Sequence, residues 1–338
     1  MTMPEERSAA SARSERAAFV PFDLRTFAPN RAPMLDLYYR AGNTYVLLCA
    51  AQAVMTRAAR QRLLDSGVRV VYARIVGGKV SAGGLELPDL LVLPDEQIPV
   101  SVKAGLMYFV AVDATRAVVA NTESTATDIA AVGEFVGTVA LHLSRDPETL
   151  QALLALMRHE SFVYVHSVNV ASLSTILALR MGVGREDAGR LSRAAFLHDV
   201  GTTKVPLDVL NKRGVLNKED WRLIRQHPEW SVGMLGEELR RRPLAKDIIM
   251  QHHERLDGTG YPHGLSGGEI HPLARLVTIV DMYDAMTSER PYRQPMAPFD
   301  SLDVIRREGV AGHLDRDILV ELVRMLAVPN SKELEKKP

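Results

Sequence analysis

The apolar positions in the N-terminal part of the chain follow two different spacings. Residues 44–50 form a short, partly β-branched apolar run, which favours a buried strand. Residues 56–66 show helical spacing, and Gly67 follows them as a C-terminal cap. A strand pattern resumes at residues 68–72. These elements predict a small α/β module.

From residue 101 onward the strand patterns fade and long stretches at helical spacing dominate. Prolines and glycines divide these stretches, as is typical of successive helices. The segment 128–144 is apolar at helical spacing, and we expect it to join the N-terminal module to the rest of the chain. The predicted fold class is therefore mainly α, with a C-terminal all-α bundle preceded by the small α/β module.

These patterns divide the chain into five segments. The first residues are rich in Ser, Ala, Glu and Arg, a composition that is typical of disorder. The predicted segments are a disordered tail at 1–17, an accessory or regulatory module at 18–100, a helical connector at 101–146, the functional domain at 147–330 and a charged tail at 331–338.

Length and charge narrow the class of protein. A chain of 338 residues fits two domains, because single cores usually stop growing at about 250–300 residues. The 41 basic and 41 acidic residues balance, which argues against a protein that coats a nucleic-acid polymer. The longest apolar run, residues 45–55, is shorter than the roughly 20 residues that span a bilayer. With no secretory signal pattern, the expectation is a soluble cytoplasmic protein without a membrane partner.

Cysteine usage restricts the metal chemistry that is open to this protein. Cys49 is the single cysteine, so neither an internal disulfide nor a cysteine-based zinc cage can form. Any metal ion must therefore be held by histidines and carboxylates.

Histidines and carboxylates recur in groups about 25 to 32 residues apart. Each interval fits one helix and its return connection, so an antiparallel bundle would bring every group to one interior site. A lone helical histidine is more often structural than a ligand, but packing alone gives no reason for five helices to offer one each. The candidate metal ligands are His166, His198, Asp199, His227, His252, His253 and Asp281.

These residue types suit chemistry on a phosphodiester. A two-metal site polarises phosphoryl oxygens and lowers the pKa of a bridging water. A carboxylate is a suitable bridge between two cations, and neutral imidazoles fill the other positions. Mixed nitrogen and oxygen ligation favours iron or manganese, with zinc or nickel as alternatives, over calcium.

Residues 252–262 resemble the signature of the HD-GYP family, a branch of the HD superfamily of metal-dependent phosphohydrolases. Their sequence is His-His-Glu-Arg-Leu-Asp-Gly-Thr-Gly-Tyr-Pro, which ends in the triplet that names the family. The likeness continues through residues 264–275, 281–287 and 290–293, and covers roughly residues 155–326. It implies an HD-type helical bundle that hydrolyses cyclic di-GMP, a bacterial second messenger, to pGpG and/or GMP.

The resemblance also implies roles for single residues. One divalent metal ion would be held by His166, His198, Asp199 and Asp281. A second would be held by His227, His252 and His253, with Asp199 as the bridge. The positions that match substrate-binding residues of the family are Arg290, Arg293 and Tyr261.

Two positions depart from the family pattern. Family members commonly read His-Asp-x-Gly-Lys, with a lysine directly after the glycine, whereas here Thr202 follows Gly201. Lys204 is the candidate substitute, so Asp199 and Lys204 are the predicted catalytic residues. Phe162 stands where some members carry a glutamate that supports a third metal ion, so two ions are expected.

Three functions remain open from the sequence. The first is a cyclic di-GMP phosphodiesterase regulated by the N-terminal module. The second is a weakly active or inactive protein that senses the dinucleotide and binds protein partners through its Gly-Tyr-Pro loop, an alternative that the missing lysine supports. The third is a phosphodiesterase for another cyclic dinucleotide. Homodimerisation is a further candidate property.

Overall fold

The computed structural model divides into two compact units at residue 110. The predicted domain boundaries at residues 100 and 146 stay predictions, and one helix, Val100–Ala120, runs through residue 110. The predicted tails at 1–17 and 331–338 lie outside the described part of the chain. The structure describes residues 18–27, 30, 35–42, 44–51, 53–76, 79–80, 100–120, 125–144, 163–212, 214–240, 242–288 and 294–327.

The N-terminal unit is an antiparallel sheet with one short helix. Within the described residues its order is β1-β4-β2-β3, and β5 pairs with β4. Apolar side chains of the sheet and of the following helix form its core, among them Val20, Leu37, Val71 and Leu106. The strands are β1 (Ala18–Asp23), β2 (Leu37–Ala41), β3 (Thr44–Cys49), β4 (Val70–Val76) and β5 (Lys79–Val80), and the helix is α1 (Arg57–Asp65).

The sequence predicted β3, α1 and β4, and the structure confirms all three. The Thr56 side chain accepts a hydrogen bond from Ala59 N and caps α1, while Gly67 adopts the left-handed φ of 82° that ends it. Strands β1 and β2 were missed. Pro21 lies inside β1, and a proline argues against a central strand, but β1 is at the edge of the sheet.

After β5 every regular element of the described chain is helical, which confirms the predicted fold class. Short 3-10 turns occur at Val200–Lys204 and Gly267–Glu269. The helices are α2 (Val100–Ala120), α3 (Ala126–Leu143), α4 (Val163–Arg180), α5 (Arg185–Leu197), α6 (Leu207–Leu210), α7 (Lys218–Ile224), α8 (His227–Arg240), α9 (Pro243–Gln251), α10 (Pro272–Thr287), α11 (Pro298–Val310) and α12 (Arg316–Leu326).

Helix α4 is central to the C-terminal unit. Its side chains are buried over almost its whole described length, and it packs against α3, α5 and α10. Helix α3, predicted as a connector, packs on both α4 and α5 and is a member of the bundle. Its apolar spacing is therefore explained by burial against other helices. Within the described residues, every helix falls short of the length and apolar character that a membrane span requires.

Candidate metal centre

Five helices bring the seven predicted ligands to one place. His166 lies in the first turn of α4, and Asp281 lies within α10. The other ligands lie at helix ends. His198 and Asp199 follow α5, His227 begins α8, and His252 and His253 follow α9. Two groups have ligand atoms within 4.8 Å of one another, namely His166, His198 and Asp199, and then Asp199, His227, His252 and His253.

Asp199 belongs to both groups and presents one carboxylate oxygen to each. Its Oδ1 lies 3.1 Å from His227 Nε2 and 3.7 Å from His252 Nε2. Its Oδ2 lies 3.6 Å from His198 Nε2 and 3.8 Å from His166 Nε2. A carboxylate in this position can bridge two cations.

Asp281 adds a carboxylate to the first group. Its Oδ1 lies 3.1 Å from His166 Nε2 and 3.9 Å from His198 Nε2. This placement agrees with the predicted first metal site, in which His166, His198 and Asp281 accompany Asp199.

Three of the histidines are oriented by backbone carbonyls. The Nδ1 atoms of His198, His227 and His252 lie 2.6, 2.7 and 2.7 Å from the carbonyl oxygens three residues earlier, at Ala195, Ile224 and Ile249. A carbonyl only accepts, so each Nδ1 carries the proton and each Nε2 presents a lone pair to the centre.

The lone pairs need a partner, which shows that these residues fit a metal ion. His227 Nε2 and His252 Nε2 face each other at 3.2 Å, an arrangement that a shared cation stabilises. His198 Nε2 is buried and has no hydrogen-bond partner in the described chain. Buried polar atoms are normally paired, so such an atom calls for a ligand.

His166 is oriented by a side chain instead. Its Nδ1 donates to Asp284 Oδ2 at 2.7 Å, and Asn169 Nδ2 donates to Asp284 Oδ1 at 2.7 Å. A carboxylate behind a ligating histidine fixes the ring and raises its basicity. The sequence analysis missed both supporting residues. The available signal was their spacing, because each lies three residues after a ligand and so on the same helix face.

The electrostatics keep the carboxylates ionised. Burial alone would raise the pKa of Asp199, but His198 and His227 hold it well below its ordinary value. Burial alone would lower the pKa of His166, but hydrogen bonds with Asp281 and Asp284 raise it to about 10. Burial dominates at His198 and lowers its pKa to about 4. The centre thus holds negative charge inside the bundle, as a cation site requires.

A model of the HD domain matches residues 148–318, half of the chain, and the Gly260-Tyr261-Pro262 triplet lies beside the centre. This chain belongs to the HD-GYP branch of the HD domain family.

Two curated proteins illustrate the HD-GYP likeness. The chain is 34% identical over 204 residues to the cyclic di-GMP phosphodiesterase PA4108 of Pseudomonas aeruginosa, covering 60% of this chain and 49% of that protein. It is 35% identical over 161 residues to the 3'3'-cGAMP-specific phosphodiesterase 3 of Vibrio cholerae, covering 48% of this chain and 35% of that protein. The chain therefore spans about half or less of the length of these relatives.

A solved HD-GYP structure shares the fold. Bd1817, an HDG"Y"P protein from Bdellovibrio bacteriovorus, matches with a TM-score of 0.60 at 18% identity. The match covers 91% of this chain and 99% of that chain. At this level of identity the likeness concerns the fold alone.

The Gly-Tyr-Pro loop packs directly against the metal centre. The Tyr261 ring stacks on His253 with 4.6 Å between centroids, and Tyr261 N donates to the His253 carbonyl at 3.2 Å. The buried Glu254 carboxylate accepts from the backbone N–H groups of His263 and Leu265 at 2.7 and 3.0 Å. Burial raises the pKa of Tyr261, so its phenol is neutral. Tyr261 therefore lies where the sequence placed it, beside the ligands.

Close backbone contacts explain two glycines. A Cβ on Gly201 would lie 2.2 Å from the His227 carbonyl oxygen, and one on Gly260 would lie 2.4 Å from Glu254 Cα. Neither backbone can move without displacing a ligand histidine or its neighbour. These positions therefore accept only glycine.

The predicted cationic residues have less support from the structure. Lys204 is exposed at the end of the 3-10 turn that follows Asp199, and within the described chain it makes no hydrogen bond or ion pair. Thr202 is half-buried, and its Oγ1 donates to the Asp199 carbonyl at 2.6 Å. Arg290 and Arg293 lie outside the described residues.

Proposed function

We propose that this HD-GYP domain hydrolyses cyclic di-GMP to pGpG and/or GMP at a binuclear metal site. The observation that carries the proposal is the position of Asp199, with one oxygen toward each of two histidine groups. The relative from Pseudomonas aeruginosa, named a cyclic di-GMP phosphodiesterase, supports the substrate class.

The proposed site holds two divalent ions, iron or manganese, with zinc or nickel as alternatives. Bound there, they would polarise the phosphoryl oxygens and activate water as the nucleophile. The chain itself orients the ligands: backbone carbonyls fix three histidines, and Asp284 fixes His166. Tyr261 lies against His253 at the edge of this site.

We assign supporting roles to the basic residues that match the family pattern. Lys204 is the proposed catalytic cation that stabilises charge on the reacting phosphate, and Arg290 and Arg293 are the proposed contacts to phosphate or guanine. A Lys204→Ala variant is expected to lower kcat for cyclic di-GMP. A kcat equal to that of the unmodified protein would remove Lys204 from the proposed mechanism.

A second substrate is favoured by one observation. The relative from Vibrio cholerae is named as specific for 3'3'-cGAMP, so another cyclic dinucleotide is a direct alternative to cyclic di-GMP. A third candidate function follows from Thr202, which stands at the family's lysine position. It is a weakly active protein that binds the dinucleotide and contacts partner proteins through the Gly-Tyr-Pro loop.

One experiment separates these functions. Anaerobically purified protein is loaded with manganese or ferrous iron, its metal content is measured, and it is incubated separately with cyclic di-GMP and 3'3'-cGAMP. Chromatography of the products should show pGpG or GMP. Absence of hydrolysis products from both dinucleotides, despite two bound ions and measurable dinucleotide binding, would contradict the enzymatic function and favour the sensor. Faster turnover of 3'3'-cGAMP than of cyclic di-GMP would make 3'3'-cGAMP the preferred substrate.

The predicted regulation by residues 18–100 and a homodimer both remain proposals. Light scattering of the full chain measures the oligomeric state directly. A monomer at the concentrations used for the activity assay would contradict the homodimer.

A further inference from the structure

Arg225 is a cation that lies close to the metal centre. It is exposed and forms the C-terminal cap of α7. Its guanidinium carbon lies 5.4 Å from the centroid of the Tyr261 ring and 5.8 Å from that of the Trp221 ring. Within the described part of the chain no carboxylate pairs with it.

A continuous row of rings connects Arg225 to the ligands. Tyr261 lies against Arg225 and also stacks on the candidate metal ligand His253, with 4.6 Å between ring centroids and 26° between planes. Trp221, one turn before Arg225 on α7, is 44% exposed. Arg225 is therefore one aromatic ring away from the metal centre, on a side that is open to solvent.

The local structure holds this row in place. Helix α7 begins with a reciprocal capping box, in which the Asn217 side chain accepts from Asp220 N and the Asp220 carboxylate accepts from Asn217 N. Lys212 also pairs with the Asp220 carboxylate. The helix that carries Trp221 and Arg225 is thus fixed at its start, and the ligand His227 follows two residues after Arg225.

Among the described residues, the Arg225 side chain makes no hydrogen bond, so its N–H groups are available to a ligand. Cation–π contacts use the faces of a guanidinium, whereas its five N–H donors lie in the plane and match two oxygens of a phosphate. Arg222 on the same helix provides the contrast, because its Nη2 is already paired with Glu219 Oε1 at 2.6 Å. An exposed arginine that lies against two aromatic rings and has no carboxylate partner within the described residues is suited to an anionic ligand.

We propose that Arg225 binds the phosphodiester of the cyclic dinucleotide that is not being cleaved. The inference rests on the proposed function and names a substrate contact within the same site. The Tyr261 ring separates Arg225 from the ligand histidines, so the guanidinium lies to one side of the place where the reacting phosphodiester would meet the metal ions. A cyclic dinucleotide carries a second phosphodiester that extends away from the metal ions. Trp221 and Tyr261 are positioning residues for this contact.

The test compares Arg225→Ala with the matched control Arg222→Ala in metal-loaded full-length protein. Two substrates are used, cyclic di-GMP with two phosphodiesters and bis(p-nitrophenyl) phosphate with one. Arg225→Ala should raise KM and Kd for cyclic di-GMP by about ten- to hundredfold, the usual loss for a charge-assisted hydrogen bond. The loss of kcat/KM for bis(p-nitrophenyl) phosphate should be much smaller. Arg225→Lys, which keeps the charge without the planar fork, should be intermediate.

The possible outcomes separate this inference from the proposed function. Unchanged KM and Kd for cyclic di-GMP in Arg225→Ala, or equal losses with both substrates, would overturn the assignment of Arg225. If the unmodified protein binds cyclic di-GMP without hydrolysing it, the proposed function fails and the two Kd values still decide the role of Arg225. If it neither binds nor hydrolyses the dinucleotide, both proposals fail. Arg222→Ala should match the unmodified protein in every assay.

Discussion

The histidines of the metal centre are oriented in two different ways. His198, His227 and His252 donate to backbone carbonyls three residues earlier, which we call the carbonyl braces. His166 donates to Asp284, which Asn169 holds from its other oxygen, and we call this pair the carboxylate brace.

The difference follows from where each histidine lies on its helix. The last carbonyls of a helix have no partner within the helix. Ala195, Ile224 and Ile249 are among the last residues of α5, α7 and α9, so the histidines just beyond those ends can use them. His166 lies inside the first turn of α4, where backbone carbonyls are already engaged, and it requires a side chain from another helix. The carboxylate brace adds negative charge next to the site, whereas a carbonyl brace adds only a dipole.

Removing Asp199 should have the largest effect, because it faces histidines of both kinds. Asp199→Ala is expected to lose metal binding and to lower kcat by at least about a thousandfold, since a metal ion contributes several kcal/mol to such a reaction. Metal content and turnover are measured together. The exposed Asp208→Ala variant is the carboxylate control. Retention of two bound ions by Asp199→Ala would contradict its bridging position.

The acceptors of the carbonyl braces are backbone atoms, so they are disturbed by a substitution that displaces the backbone. Gly201→Ala is such a substitution. Its Cβ would lie 2.2 Å from the His227 carbonyl oxygen and 2.5 Å from Ser231 N. Overpacking of this kind costs about 3 kcal/mol of unfolding free energy, which urea denaturation measures. Gly233→Ala in α8, where an added Cβ meets nothing within 4 Å, is the control. Equal midpoints for the two variants would show that the backbone around His227 adapts.

The carboxylate brace is removed by Asp284→Ala. Loss of such a partner typically weakens metal binding about ten- to hundredfold, which competition with a chelator measures. The exposed Asp300→Ala variant controls for the loss of a carboxylate. We expect the affinity for one of the two ions to fall far more than the affinity for the other, because Asp284 contacts only His166 among the ligands. Equal weakening of both ions would mean that the two kinds of brace are not independent.

The smallest effect is expected at Ser231, which supports a carbonyl brace indirectly. Its Oγ donates to the His198 carbonyl at 3.1 Å and accepts from Gly201 N at 2.8 Å. Ser231→Ala should lower the unfolding free energy by about 1–3 kcal/mol, because Gly201 N is left buried without a partner. Thr203→Ala, at an exposed hydroxyl of the same turn, should change it less. The reverse order would exclude the buried hydrogen bonds as the cause.

Sequence spacing predicted that the candidate ligands would meet, because each of them lies near one end of a helix or on one face of it. The groups recur once per helix, and the structure brings all seven residues together. The same reasoning predicted α1 and its Gly67 cap, which depend on neighbouring residues alone. Strand β1 was missed because its place at the sheet edge, which tolerates Pro21, is set by pairing with β4.

The limits of the sequence are clearest at Asp284 and Arg225. Asp284 lies 118 residues from His166, and only the packing of α4 against α10 makes it a hydrogen-bond partner. Arg225 looks like any surface arginine in the sequence, and the fold alone places Tyr261 and Trp221 against it.

The sequence by itself indicated the helices and the types of the candidate ligands, because helical spacing and residue type are properties of residues within about one helical turn. The tertiary structure decided which side chain supports His166 and which arginine of the described chain lies against Tyr261 beside the centre. Those contacts join residues far apart in the chain, and only the packing of the helices fixes their distances.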